Sequence, residues 1–401
     1  MIIKKLITNQ GREIPIGKFT VLVGPNNVGK SRTLRDLNDI ITSPNYENTI
    51  LIKKIEFEKP TNFDDIFCDL IIENDIRTPG VKVVSGIRQD LLAREETRIS
   101  LEHLQKEFNN NPSIELFLQN HIGKFKLTYL DASPRLSLSQ GVGSFNPNIN
   151  HPSHVLHSLY VDKNLEEELK IAFKKAFDLN IFLDYSGLIE FTLRVDKENI
   201  ELPKDPREAY PIASKISPLV YQGDGFKSLA GVVLSVIFSK NRIVLIDEPE
   251  AFLHPAQARF LGKWIADYSK IINGQIIIAT HNSNLLIGIL SSDQKIDIFR
   301  LNRDLDHTFY TLIPSETTEK LAKSPLLSSQ RVIEAIFYKG VVVCEADADR
   351  AIYQSVASKE FNNQNILFVH SHNKQTLKDV VEVLRDAAIP TAAIADIDLL
   401  D

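Results

Sequence analysis

The stretch FTVLVGPNNVGKS, residues 19–31, limits what this chain can fold into more than any other. A run of apolar and β-branched residues enters a loop with Gly24, Gly29, Lys30 and Ser31 at G-x-x-x-x-G-K-S spacing, and a helical pattern follows. The spacing has a physical basis. Glycines let the backbone curl so that successive N–H groups, those around Asn26 and Asn27 included, point inward at phosphate oxygens, and the helix start adds partial positive charge. Lys30 can reach terminal phosphates, and the Ser31 hydroxyl suits Mg²⁺. Gly24, Asn26, Asn27, Gly29, Lys30 and Ser31 therefore form a predicted nucleotide site, opening an α/β sheet.

More than half the chain later, NRIVLIDEPEAFLHP brings an apolar strand to Asp247 and Glu248. A carboxylate at such a tip can bind Mg²⁺ directly or through water, and its neighbour can polarise an attacking water. A further strand, QIIIATHNSNLL, ends in Thr280 and His281. Each tip alone fits a solvated turn, but three parallel-type strands ending in such groups suit ATP hydrolysis, because ligands gather outside these strand ends.

The end of the chain poses an electrostatic problem. KGVVVCEADADR, NILFVHSHNK and TAAIADIDLLD are three buried strand patterns separated by helical ones, which predicts a parallel sheet. Asp396 and Asp398 lie two apart and face the same way, and Glu345 ends a neighbouring strand. Acids crowded in this way need protons or metal. Mg²⁺ or Mn²⁺ is the natural counter-charge.

Composition narrows the setting. The 401 residues allow two or three domains, and 43% hydrophobic with 24% charged residues is ordinary for a globular protein. A formal charge of −6 means that DNA binding would need local basic patches. Cys68 and Cys344 lie in unrelated contexts and predict no disulfide framework, which fits a reducing cytoplasm. MIIKKLITNQGREIP is no secretory leader, and GVVLSVIF, bounded by Lys227 and Lys240, is too short to span a bilayer. The expected setting is cytoplasmic, with no membrane partner.

The nucleotide-site motifs resemble the ABC-type ATPase heads of DNA-repair and chromosome-maintenance proteins, a resemblance that covers two separated lobes, roughly residues 1–48 and 212–320. The resemblance implies that Glu248 is the catalytic glutamate and His281 a switch histidine sensing the terminal phosphate. It also implies a signature loop and helix, for which YQGDGFKSLAGVVLSVIF is the matching stretch. Gly223, Gly225 and Ser228 would complete the nucleotide site of a second copy, although the usual serine-glycine-glycine order is absent. The implied assembly is a homodimer or a higher homo-oligomer.

The last 66 residues or so look like a TOPRIM domain, the fold shared by topoisomerases, primases and certain nucleases. Glu345, Asp396 and Asp398 match its acidic positions and Asp349 a further one, while Ala346 replaces the usual glycine. The resemblance implies metal-assisted phosphodiester cleavage, with Glu345 as ligand or base and Lys374 neutralising transition-state charge.

An ABC-type ATPase followed by TOPRIM is the order of the OLD (overcoming lysogenisation defect) nucleases, shared by Gabija-type and retron-associated effectors. The expected organisation is α/β. An ABC-type head occupies 1–335 as two lobes split by an α+β insertion at about 85–210, a candidate dimerisation element. A partial TOPRIM parallel α/β domain occupies 336–401. The chain stops three residues after Asp398, which reads as a fragment or a domain completed by another chain. The implied activity is ATP-regulated, Mg²⁺-dependent DNA cleavage in antiphage defence, with a possible defence partner protein. The alternative is a non-nucleolytic clamp or sensor that uses its TOPRIM region to bind a partner. A primase or topoisomerase lacks a recognisable tyrosine context or zinc motif. Between the lobes, over residues 49–211, ILIKKIEFE and IFCDLIIEN read as strands extending the first lobe into a sheet, RQDLLAREETRISLEHLQKEFNNN as a charged helix, and NLEEELKIAFKKAFDLN as an amphipathic helix. YLDASPRLSLSQG reads as a polar loop whose Arg135 and Gln140 are candidate nucleotide or interlobe contacts.

Overall fold

Three strands whose every residue is buried organise the molecule: Phe19–Val23, Gln275–Ala279 and Ile243–Asp247. Such runs suit a parallel sheet covered on both faces. The computed structural model describes residues 2–43, 48–88, 93–110, 121–324, 327, 329–360, 365–371 and 374–396. Its largest sheet has six strands, in the order His307–Leu312, Asp297–Asp304, Phe19–Val23, Gln275–Ala279, Ile243–Asp247, Leu127–Leu130. All neighbours are parallel except the first pair. The phosphate loop and the Asp247 tip therefore emerge at the same edge, one strand apart.

Two apolar layers cover this sheet. On one face the helix Lys30–Thr42 packs Leu34, Leu37, Ile40 and Ile41 with Leu22, Leu245 and Ile277. The small antiparallel sheet Glu13–Pro15, Ile2–Thr8, Ile52–Glu58 closes the same layer. On the other face the helices Asp224–Ile237, Pro255–Tyr268 and Ser283–Leu290 cover Val21, Val244, Ile246 and Ile278.

The middle of the chain departs from two expectations. Residues 93–99 form a strand paired in full register with Lys82–Arg88, and only Leu101–Asn110 is helical. Cross-strand pairing overrides the helix preference of AREETRI. Second, Leu127–Leu130 falls within the span 85–210 read as an insertion, yet it is an edge strand of the main sheet, paired with Ile243–Ile246. Four residues are too short to show a period. By contrast the amphipathic helix runs from Lys163 to Phe177, with the Asp162 side chain accepting from the Asn164 N–H at its start.

After residue 335 the strands Ile366–His370, Gly340–Cys344 and Thr391–Ile394 form a parallel sheet in that order. The helix Lys374–Asp386 buries Leu377, Val380, Val383 and Leu384 against it, whereas no residue of the helix Asp347–Glu360 is buried. One side chain ties this sheet to the large one. Arg300, on the strand beside the phosphate-loop strand, is fully buried and donates to the carbonyls of Ile336 (3.2 Å), Tyr338 (2.7 Å) and Ala388 (2.8 Å). Burial pushes its pKa down to about 10.

Candidate functional site

The phosphate loop is held by backbone geometry that its sequence permits. Gly24, Asn27 and Gly29 have φ of 134°, 62° and 105°. A Cβ on Gly24 would lie 2.3 Å from the Leu301 carbonyl oxygen, so only glycine fits there. Gly29 precedes the helix Lys30–Thr42 and brings no side chain to cap it. Lys30 folds back across its own loop, donating to the Gly24 (2.7 Å) and Pro25 (2.8 Å) carbonyls. Burial lowers its pKa to about 8 against the opposing pull of Glu248, Asp247 and Glu250.

Ser31 joins the loop to the carboxylate strand by donating to Asp247 at 2.9 Å. Burial raises the Asp247 pKa, and the Ser31 bond opposes this. A serine hydroxyl beside a carboxylate is a hard oxygen pair of the kind Mg²⁺ takes. Ser31 and Asp247 would hold that ion.

Glu248 turns the chain sharply. Its φ is 49°, in the left-handed region that costs a non-glycine residue about 1–2 kcal/mol. Both of its peptide groups are pinned. Its N–H donates to the Ala279 carbonyl (2.8 Å), and its carbonyl accepts from the Ala251 N–H (3.0 Å) and from Arg135 Nη1 (2.6 Å). The carboxylate lies 2.8 Å from His281 Nδ1. That hydrogen bond holds the Glu248 pKa down and raises that of His281. Beneath the pair, Glu250 is 4% exposed, accepts from the Thr280 hydroxyl at 2.6 Å, and is pushed up to about 7 by burial. Asn26, Asn27, Gly29, Lys30, Ser31, Glu248 and His281 share one cleft of about 690 Å³, within the usual range for ligand pockets.

The signature stretch divides. Gly223 and Gly225 stand at the start of the helix Asp224–Ile237. Ser228 does not join them: it is fully buried and donates to the Ala251 carbonyl at 3.1 Å, which corrects its reading as a nucleotide contact. Because the helix begins at Asp224, position 228 falls in the second turn, on the face packed against the turn after Glu248.

At the acid edge, Cys344 pairs with both His370 and Ile394, which sets Glu345 beside the segment leading to Asp396. The Glu345 carboxylate accepts from the Asp396 N–H at 3.4 Å. Asp349 sits in the first turn of the helix Asp347–Glu360, where the helix dipole favours an acid, and does not join that contact. Asp347 is drawn to Arg350 (2.6 Å) and to His370 (3.3 Å). Asp398 and the Lys374 side chain lie outside the described residues. Among the described residues no three His, Cys, Asp or Glu side chains gather where a metal ion could sit. The four-acid cup expected from sequence is thus represented here by Glu345 and Asp396.

Sequence reasoning left two buried residues beside the nucleotide cleft without a role. Glu250 was overlooked although DEPE carries a second acid two positions after Glu248. The polar loop expected around Arg135, a candidate nucleotide or interlobe contact, is instead a helix over residues 132–137 that places Arg135, 1% exposed, on the Glu248 carbonyl. No local pattern marks that contact. Arg303 also lines the cleft.

A parallel sheet with a phosphate loop on one strand and an Asp–Glu tip one strand removed defines a nucleotide-binding head of the ATPase class. The family profile for the AAA domain, AbiEii toxin of a Type IV TA system, matches residues 19–287, and the chain belongs to that family. Residues 336–398 match the TOPRIM domain of overcoming lysogenization defect protein-like sequences. The chain is 26% identical to the Old nuclease of Escherichia phage P2 over 40% of its own length and 28% of that protein's. It therefore spans little more than a quarter of that relative. It is 21% identical to the OLD nuclease of Thermus scotoductus over 96% of this chain and 79% of that one. Among solved structures, the Smc head bound to the C-winged helix domain of ScpA aligns over 80% of this chain and all of that one, with 14% identity and a TM-score of 0.48. The SMC head domain from Thermotoga maritima aligns over 78% and 100%, with 13% identity and a TM-score of 0.39. Among the described residues no helix is long and apolar enough to cross a membrane.

Proposed function

We propose that this chain is an ATP-hydrolysing, Mg²⁺- or Mn²⁺-dependent DNA endonuclease of the OLD type, in which nucleotide state regulates cleavage. The observation that carries the reading is the Glu248–His281 pair, 2.8 Å apart and facing the Ser31–Asp247 contact across one cleft. On nucleotide binding, Lys30 exchanges its two loop carbonyls for phosphate oxygens. Glu248 accepts a proton from the attacking water, and His281 shares the charge that builds up. Ser31 and Asp247 would hold a Mg²⁺ ion, which would supply neutralisation of phosphate charge. The helix start at Gly223 and Gly225 would face the cleft of a second copy in a homodimer.

At the acid edge Glu345, Asp349, Asp396 and Asp398 are the proposed metal carboxylates, with Lys374 opposing negative charge on the scissile phosphate. The organisation proposed is an ATPase domain over 1–335 and a TOPRIM domain over 336–401, acting in the cytoplasm in antiphage defence, alone or with a partner protein. A second reading, an ATP-dependent clamp or sensor that does not cut, draws on the meeting of only Glu345 and Asp396 among the described acids.

Plasmid nicking separates the two. The nuclease reading expects nicking with Mg²⁺ or Mn²⁺ that responds to ATP and disappears in Glu345→Gln, with ATP turnover within about twofold of the parent. A folded, ATP-hydrolysing protein that nicks nothing under either metal sinks it and leaves the clamp.

A further inference from the structure

Arg135 is almost fully buried, and its location needs a reason, because a guanidinium taken from water is costly unless its surroundings repay it. The strand Leu127–Leu130 runs parallel to the Asp247 strand, and Asp131 at its exit caps the short helix Ala132–Ser137 by accepting from the Ser133 N–H. That helix lies directly beside the Glu248 turn. Arg135 Nη1 donates to the Glu248 carbonyl at 2.6 Å, while Nε, also buried, has no hydrogen-bond partner among the described residues. Burial lowers the pKa of the guanidinium, and the charges of Glu250, Asp247, Asp131 and Glu248 oppose that lowering.

The same helix touches the signature helix from behind. A Cβ on Gly231 would lie 2.2 Å from the Arg135 carbonyl oxygen, so the helix Asp224–Ile237 rests on the Arg135 backbone without clearance. Ser228, one turn earlier, donates to the carbonyl of Ala251, three residues after Glu248. The signature helix, Arg135 and the Glu248 turn thus form one packed unit. Glu248 sits at φ 49°, a conformation it keeps only while its flanking peptide groups are held.

We propose that Arg135 is the positioning residue that aims the Glu248 carboxylate at the nucleotide cleft and transmits the seating of the signature helix to it. The inference rests on the hydrolytic reading of Glu248 given above. Removing the guanidinium leaves the Glu248 carbonyl held by the Ala251 N–H alone and lets the φ 49° turn relax, which swings the carboxylate away from His281. Nucleotide binding relies on the phosphate loop and is untouched.

The test compares Arg135→Met, Arg135→Lys, Glu248→Gln and the parent chain for ATP turnover, binding of a fluorescent ATP analogue, and hydrogen exchange across residues 248–253. The expected result for Arg135→Met is a kcat lowered roughly 30-fold, analogue affinity within about twofold, and faster exchange in that segment, with Arg135→Lys restoring part of kcat. A folded Arg135→Met with kcat within about twofold of the parent, or with affinity and turnover falling together, overturns the proposal. Should Glu248→Gln hydrolyse ATP as fast as the parent, the hydrolytic reading itself falls. Unchanged exchange across 248–253 in a folded Arg135 variant then refutes the positioning role independently of activity. If Arg135→Met does not fold, Arg135→Lys, which keeps the charge and loses the bidentate plane, carries the same comparisons.

Discussion

The nucleotide cleft and the acid edge after Cys344 both gather carboxylates at the tips of parallel strands, yet they manage the charge in opposite ways. In the cleft every carboxylate has a protein partner: Asp247 the Ser31 hydroxyl, Glu248 the His281 ring, Glu250 the Thr280 hydroxyl. Burial raises the pKa of Asp247 and Glu250, the His281 hydrogen bond lowers that of Glu248, and these partners fix their aim. At the acid edge Asp347 and Asp396 are exposed, the neighbouring helix Asp347–Glu360 buries nothing, and the Glu345 carboxylate meets a backbone N–H at 3.4 Å. The first site is preorganised by the protein. The second depends on solvent and counter-ions for its geometry. The contrast explains why a cleft built for charged ligands is already shaped here while the acid edge reads as a loose pair.

Three measurements would break or sharpen that contrast, beginning with the largest effect. Glu248→Gln is expected to lower ATP turnover roughly 10²–10⁴-fold, the range for loss of a general base, while Glu345→Gln leaves turnover unchanged. Equal losses from both substitutions would mean that the two sites act as one. Next comes the clip between the regions. Arg300→Met strands the buried Ile336 carbonyl and the half-buried Tyr338 and Ala388 carbonyls and is expected to cost about 2–4 kcal/mol, read as early melting or proteolysis between residues 336 and 394. A single, unshifted unfolding transition would show that the clip carries no stability.

The smallest effect concerns pH. The Glu250 pKa is raised to about 7 from an ordinary value of 4.5, so the folded state holds its proton more tightly than the unfolded chain. The associated stability is complete below about pH 4.5 and is lost as pH rises through about 7. Glu250→Gln, which keeps an acceptor for the Thr280 hydroxyl, should therefore gain on the parent by about 1–2 kcal/mol between pH 5 and pH 8 in thermal melts. A gap that narrows with pH would reverse the sign and place Glu250 in an ion pair.

Much of this was legible because it is local. The phosphate loop declares itself through two glycines and a lysine within eight residues, and the helix Lys163–Phe177 through its spacing, its early acids and its late lysines. The three all-buried strands were legible for the same reason, since unbroken apolar runs suit strands covered on both faces. The misreadings share another cause. Residues 93–99 become a strand only because Lys82–Arg88 lies alongside, and Leu127–Leu130 becomes part of the main sheet only because the Asp247 strand offers an edge. Ser228 turned inward because its helix starts at Asp224.

The sequence by itself determined which segments can bend around phosphate, which strands must be covered on both sides, and which tips carry acids. These follow from properties of a few consecutive residues: the freedom of glycine, the period of apolar side chains, the spacing of charge. Only the tertiary structure decided that Ser31 meets Asp247 across 216 residues, that Arg135 holds the Glu248 carbonyl, and that Arg300 clasps the second sheet. Such contacts depend on the order of strands in the sheet and on close packing between helices. No local pattern encodes that order, because the energy selecting it is shared among the many residues buried together.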